Sequence, residues 1–511
     1  IWDTTARSGR LVSGAGAILD GLDIRGDLHA SSGQTLIRNG LTISGLATVS
    51  ANPLAGVGSD ASIAFEGDSV LAGNVSLDSP EKRMAQLGVS GNGTLTIATG
   101  SEIRMRGQQA RIASDLGSAG FGTVVNRGRI WVDETVGRMD LRLINPDRFV
   151  NEGVVELLNR GGLTIVGNNS TTTTGTYRLS GPNTQLTFDG TFAMDELGTI
   201  DNANGGSVWL RGDFDNSGRV LNLDSSRGNF FLDGGNLTGG TVDQSTGKLG
   251  YRDSNDNVLE NVTVNGDLDL SADASKLRIA GTTTFSGQAI LNTDSMLSFD
   301  SDRSIGNTIR GNSTNVQRGT LGVSGDATLT IENTSVVYNM RSVTSDMFSV
   351  GNGTVVNDGT IRFANPNQNF SDLRITSRIN PDNFVNNGVV EVGINASLVI
   401  ENEAGWSNSG VYRLSDNASF LYIDGQLTTA QLGAIDNRAG GRVGIVGVLD
   451  NRNDNFLISD ESGDLTLGNP SVGLSPEVSG PGRIIGGTIT QTDGHKLLYK
   501  RDGILDGVRI V

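Results

Sequence analysis

Histidines, cysteines and paired carboxylates are where catalysis or metal binding would first show in a chain, and here they are scarce or duplicated. Histidine occurs only at 29 and 495, neither beside a nucleophile context such as GxSxG. A histidine triad or zinc site is therefore not expected, and both residues read as surface positions. Cysteine is absent, which excludes disulfides, thiolate zinc sites and cysteine nucleophiles. Glycine-rich stretches such as GNGTLTIATG (91–100) lead into strand patterns rather than helices, so no phosphate cradle is indicated.

Carboxylate pairs can run sugar chemistry, but the acidic residues here are paired in another sense. Asp147 and Asp382, Glu156 and Glu391, and Asp201 and Asp436 each lie 235 residues apart (382 − 147 = 391 − 156 = 436 − 201 = 235). An active centre is needed once, so duplication points to turns and caps, and no catalytic residue is assigned. The oxygen-rich clusters DSNDN (253–257) and DNRNDN (450–455) suit a hard cation. Asp253, Asp256, Asp450 and Asp454 are accordingly the calcium candidates, and calcium is the one cofactor the sequence suggests. Neither an EF-hand loop nor a series of GGxGxDxUx nonapeptides accompanies them. The threonine runs TTTT (171–174) and TTTF (282–285) are too few and out of phase for an ice-binding face.

What positions these residues is an internal repeat. NPDRFVNEGVVE (145–156) returns as NPDNFVNNGVVE (380–391), LGVSGNGTLTI (87–97) as LGVSGDATLTI (321–331), and LGTIDNANGG (197–206) as LGAIDNRAGG (432–441). AILDGLDIRGDL (17–28) aligns with NVLENVTVNGDL (257–268), and GILDGVRIV (503–511) opens the phase again. The expected division is residues 1–256, residues 257–503, and the start of a third copy at 504–511. Two super-repeats of about 240 residues follow (258 − 18 = 240). Matching phases at the two ends, with Ile1 in place of an initiator methionine, suggest a segment of a longer tandem array.

Within each copy the strands are short and alternate apolar with polar residues, as in QLTFDG (185–190) and KLRIAG (276–281). The single helical candidate is PEKRMAQLG (80–88). The pattern apolar–Val–Asn–x–Gly recurs at a spacing of 25 (151 − 126 = 25), the length of one coil of a parallel β-helix. Asn126, Asn151, Asn202 and Asn216, with Asn357, Asn386, Asn437 and Asn451 in the second copy, are expected at its turns. There they would take left-handed backbone and bond to backbone or to one another in a ladder. The fold expected is all-β: a single elongated right-handed parallel β-helix, or β-solenoid. The stretches 50–86 and 455–482 depart most from the repeat, so a unique site would lie there.

Composition bounds the function. Net charge is −17 with no basic stripe, which argues against nucleic acid. Aromatics are 5% and glycines 72, fitting a narrow aliphatic spine rather than a thick globular core. No apolar run approaches a transmembrane length.

FVNEGVV (149–155), GLTIVG (162–167) and GTYRLSG (175–181), repeated as FVNNGVV (384–390), SLVIENE (397–403) and GVYRLSD (410–416), resemble passenger regions of autotransporters and filamentous-haemagglutinin-type exoproteins. The resemblance covers most of the chain. It implies a β-helix exported to the bacterial surface or the extracellular space, acting as a fibre, stalk or adhesin. The expected partners are other copies of the chain, head-to-tail or lateral, and cell-surface glycans or matrix. The function expected is structural and non-enzymatic. The alternative is a β-helical polysaccharide-degrading enzyme or a phage tailspike-like protein.

Overall fold

The computed structural model describes residues 2–3, 10–50, 60–79, 83–107, 109–134, 142–168, 172–311, 319–364, 376–402, 405–468, 480–499 and 502–511. The chain forms two compact units, Ile1–Gly250 and Tyr251–Val511. Strand accounts for 60% and helix for 2%, and the parallel coils form a β-solenoid of about 19 turns.

Each coil contributes short strands to successive faces, and each strand pairs in parallel with its counterpart one coil along. In the first unit one face stacks Gly93–Ile97, Gly122–Asn126 and Arg148–Asn151, with Leu95, Val124 and Phe149 in register. A second stacks Ile103, Ile130, Val155, Tyr177 and Ile200. A third stacks Ile112, Ile144, Ile165, Phe188, Leu210 and Leu232. The second unit repeats this, for example in the column Val343, Ile379, Ile400, Ile423, Ile445 and Leu467.

These columns are why the period-two sequences fold this way. One side of every strand faces the spine, where Ile130, Val155, Ile361 and Val390 are wholly buried. Each buried aliphatic removes roughly 1.5–3 kcal/mol worth of apolar surface from water. A register slip of one residue would turn every one of them outward. Aromatics also fill part of the first unit's spine: Phe192 stacks on Phe214 at 5.6 Å and meets Phe188 edge-on at 5.5 Å.

The helix expected over 80–88 is not formed over its described part. Ala85–Ser90 is a strand, hydrogen-bonded between Ala61–Glu66 and Ala110–Ala113. A strand already has partners on both sides there, and a nine-residue helix-prone stretch cannot outcompete them; residues 80–82 lie outside the described residues. Among the described residues the helical turns are instead Met194–Leu197 and Thr429–Leu432, which are equivalent in the two copies (429 − 194 = 235). Each closes on a glycine, Gly198 and Gly433. No described helix is long and apolar enough to cross a membrane.

Candidate functional site

The eight asparagines occupy four duplicated settings, all of them buried. Asn126 and Asn151 end neighbouring strands, and Asn126 Nδ2 donates to Asn151 Oδ1 at 2.8 Å. In the second unit Asn357 donates to Asn386 (2.7 Å), Asn386 to Asn408 (2.8 Å), and Asn408 to the Leu432 carbonyl (2.7 Å). Asn202 and Asn437 donate to the carbonyls of Gly206 and Gly441 (2.8 and 2.9 Å). Asn216 and Asn451 donate across the coil to those of Thr241 and Thr488 (3.0 and 2.9 Å).

Their backbone differs from the left-handed form expected. None of the eight has positive φ; that conformation is taken by Asn39, Asn159, Asn261, Asn339 and Asn395, with φ between 52° and 57°. The reason is geometric. An amide rung must point inward from an extended strand end, and a left-handed residue would swing it out. Burial leaves these amides out of a ligand's reach and makes them internal braces.

The duplicated carboxylates are also committed. Asp147 Oδ2 accepts from Ser114 Oγ (2.6 Å) and Gly122 N (3.0 Å), and Asp382 Oδ2 accepts from Gly353 N (3.1 Å). Glu156 pairs with Arg129 and Glu391 with Arg362, while Asp201 and Asp436 pair with Arg178 and Arg413.

The calcium candidates are placed apart. Asp253 meets Lys276 Nζ at 2.6 Å, and Asp256 and Asp454 are exposed. Asp450 is gripped by Arg452, whose Nη2 lies 2.5 Å from Oδ2 and whose Nε lies 2.9 Å from Oδ1. This guanidinium, followed by the Arg452 backbone N–H, pulls the Asp450 carboxyl down to about 2. Among the described residues, no group of three or more His, Asp or Glu converges as a metal shell.

Two grooves, each of about 740 Å³, are lined in part by the stretches that depart most from the repeat: Asp68, Ser69 and Val70 in the first unit, and Asp460, Gly463, Asp464 and Thr466 in the second. The one in the first unit is lined by Asp23, Asp68, Thr94 and Thr96 with no basic side chain. The one in the second unit gathers Arg438, Arg442, Asp460, Asp464, His495 and Leu498.

His495 is half-buried in that second groove, rather than the plain surface residue its sequence suggested. Its Nε2 lies 3.0 Å from Asp460 Oδ1 and its Nδ1 3.3 Å from Asp464 Oδ1. Asp464 Oδ1 also accepts from Lys496 N at 2.9 Å. With a carboxylate at each ring nitrogen, the imidazole braces two turns. Arg438 leans on Asp436 (3.2 Å) and Glu461 (4.0 Å). Arg442 is different: its guanidinium carbon lies 5.2 Å above the Phe420 ring, and it meets no carboxylate among the described residues. His29, the other histidine, is half-buried in the first unit, its pKa lowered by burial and then by Arg10.

Sequence reasoning assigned no role to Arg438, Arg442, Asp460 or Asp464. The signal available was divergence between the copies inside a recognisable repeat. No protein-family model, curated protein or solved structure matches the chain.

Proposed function

We propose that this chain is a structural, non-catalytic segment of a large repetitive secreted or cell-surface protein, serving as fibre, stalk or adhesin in the manner of autotransporter or filamentous-haemagglutinin-type exoproteins. The observation that carries the reading is the repetition of one internal brace. Asn202 N bonds to Ser226 O and Asn437 N to Glu461 O, both at 2.6 Å, while both side chains bond four residues on. A chain that spends its most specific polar residues, twice over, on holding coils in step is built for form. The right-handed winding inferred from sequence belongs to the same reading.

Self-association or head-to-tail continuation is part of it. Electron microscopy of native material tests the reading: thin fibres or rods are expected, and globular particles at every concentration would overturn it. The rival, a polysaccharide-degrading enzyme, is tested by product release from acidic polysaccharides, and none is expected.

A further inference from the structure

The two copies share a frame around the second groove closely enough to be compared residue by residue. Gly228 N bonds to Asp224 O in one and Gly463 N to Ser459 O in the other, at 2.9 and 2.8 Å. Lys248 N donates to Asn229 Oδ1 (3.0 Å) as Lys496 N does to Asp464 Oδ1 (2.9 Å). Leu249 N bonds to Gln244 Oε1 and Leu497 N to Gln491 Oε1, at 2.8 and 2.9 Å. On this common frame the first unit carries Ala203, Ser207, Ser225 and Asn229 where the second carries Arg438, Arg442, Asp460 and Asp464 (an offset of 235 throughout). The turn between the glutamine and the lysine spans 248 − 244 = 4 positions in the first unit and 496 − 491 = 5 in the second, and the additional residue is His495.

Small neutral residues are thus replaced by charged ones at four places around one groove, together with an inserted histidine that ties two of them down. The first unit makes the same frame bonds without these residues, so those bonds do not account for their presence. We propose that the groove of the second unit is a binding site for a short carboxylate-bearing saccharide.

The chemistry is read from the lining. Arg442, stacked on Phe420 and without a carboxylate partner among the described residues, offers a planar fork to an anionic group. Arg438 stands on the same groove, and its partner Glu461 is 76% exposed. Asp460 and Asp464 line the groove and each meets His495 through Oδ1, so a second carboxylate oxygen on each can accept from hydroxyls. Leu498, 39% exposed, supplies an apolar wall against which a sugar ring can lie. Donors and acceptors set side by side suit a polyhydroxylated ligand better than a bare anion, which Asp460 and Asp464 would repel. The net charge of −17 disfavours a long polyanion, so the ligand is short. This proposal does not rest on the structural-segment reading, because a stalk and an enzyme could each carry such a site.

The test is calorimetric titration of the whole chain with cellobiouronate, using cellobiose as the neutral control and acetate as the bare anion. Cellobiouronate is expected to saturate one site and to shift the His495 imidazole resonances. Cellobiose and acetate are each expected to bind at least about 10-fold more weakly, the loss of one charge-assisted contact or of the sugar contacts. R442S and R438A install the residues that the first unit already carries in this frame, and unchanged melting will verify their folding. R442S should weaken cellobiouronate by about 10-fold or more. No saturable binding at millimolar ligand, equal affinity for acetate, or unaltered affinity in a folded R442S would each overturn the proposal.

Discussion

At the scale of single residues, the amide ladders explain most of what the repeated asparagines do. The second unit runs three rungs, Asn357, Asn386 and Asn408, whereas the first stops at Asn151, where Thr173 stands in register in place of a third asparagine. Asn151 Nδ2 consequently has no acceptor, and a buried donor left so costs about 1–3 kcal/mol. Thr173→Asn should therefore stabilise the first unit by about 1 kcal/mol, after the loss of the Thr173–Tyr177 hydroxyl contact, as read from its denaturation midpoint. A lower midpoint would show that the third rung is not what the coil lacks. Asp450 gives a second prediction, with a definite sign. Its pKa is lowered on folding, to about 2, so at acid pH the unfolded chain takes up the proton first. The stability contributed by its contact with Arg452 is complete above the ordinary carboxylate range near pH 4. It disappears as pH falls through about 2. Asp450→Asn should remove that increment at neutral pH and change nothing below about pH 2, so that this part of the acid-unfolding curve flattens, a small effect because the pair is exposed. Of these residues, the motif asparagines were legible in the sequence because their flanking words repeat. Asn408 was not, since SNSG lacks the apolar–Val prefix, and neither was Asn257, whose amide bonds to the Arg252 and Lys276 carbonyls.

At the scale of elements, strands were easier to foresee than corners. Alternation of side chains fixes which residues face the spine, so Leu186, Phe188, Leu277 and Ile279 could be placed from pattern alone. Corners depend on contacts between coils that no local pattern encodes. The stretch 80–88 shows this: its residues favour a helix in isolation, and pairing on both sides makes its latter part a strand. His495 shows it too, because its neighbours Asp460 and Asp464 are more than thirty positions away in the chain. Gly463 illustrates how tightly such corners are built. It sits at φ 65°, and a Cβ there would lie 2.6 Å from Asn437 Nδ2. Gly463→Ala should destabilise the second unit by about 1–3 kcal/mol in chemical denaturation. Gly228, at φ 68° and the same 2.6 Å from Asn202 Nδ2, should behave alike in the first unit. A neutral result at both positions would mean that the corner relaxes more freely than its hydrogen bonds suggest.

At the scale of the whole molecule, duplication was the most legible property and its use the least. Equivalent residues such as Asn202 and Asn437 make the same bonds in both units, which is what a phase-keeping repeat implies. The groove at His495 was legible only in part, because the divergent stretch 455–482 holds Asp460 and Asp464 while Arg438, Arg442 and His495 lie outside it. Stacked coils also have a mechanical consequence. Tension applied at one end meets a series of nearest-neighbour interfaces rather than a single cooperative core. The chain would then yield one turn at a time, each releasing on the order of 80 Å of slack from some 25 residues of extended backbone. Stepwise yielding of this kind would spread the work of extension over many coils, where a globular domain gives way at once.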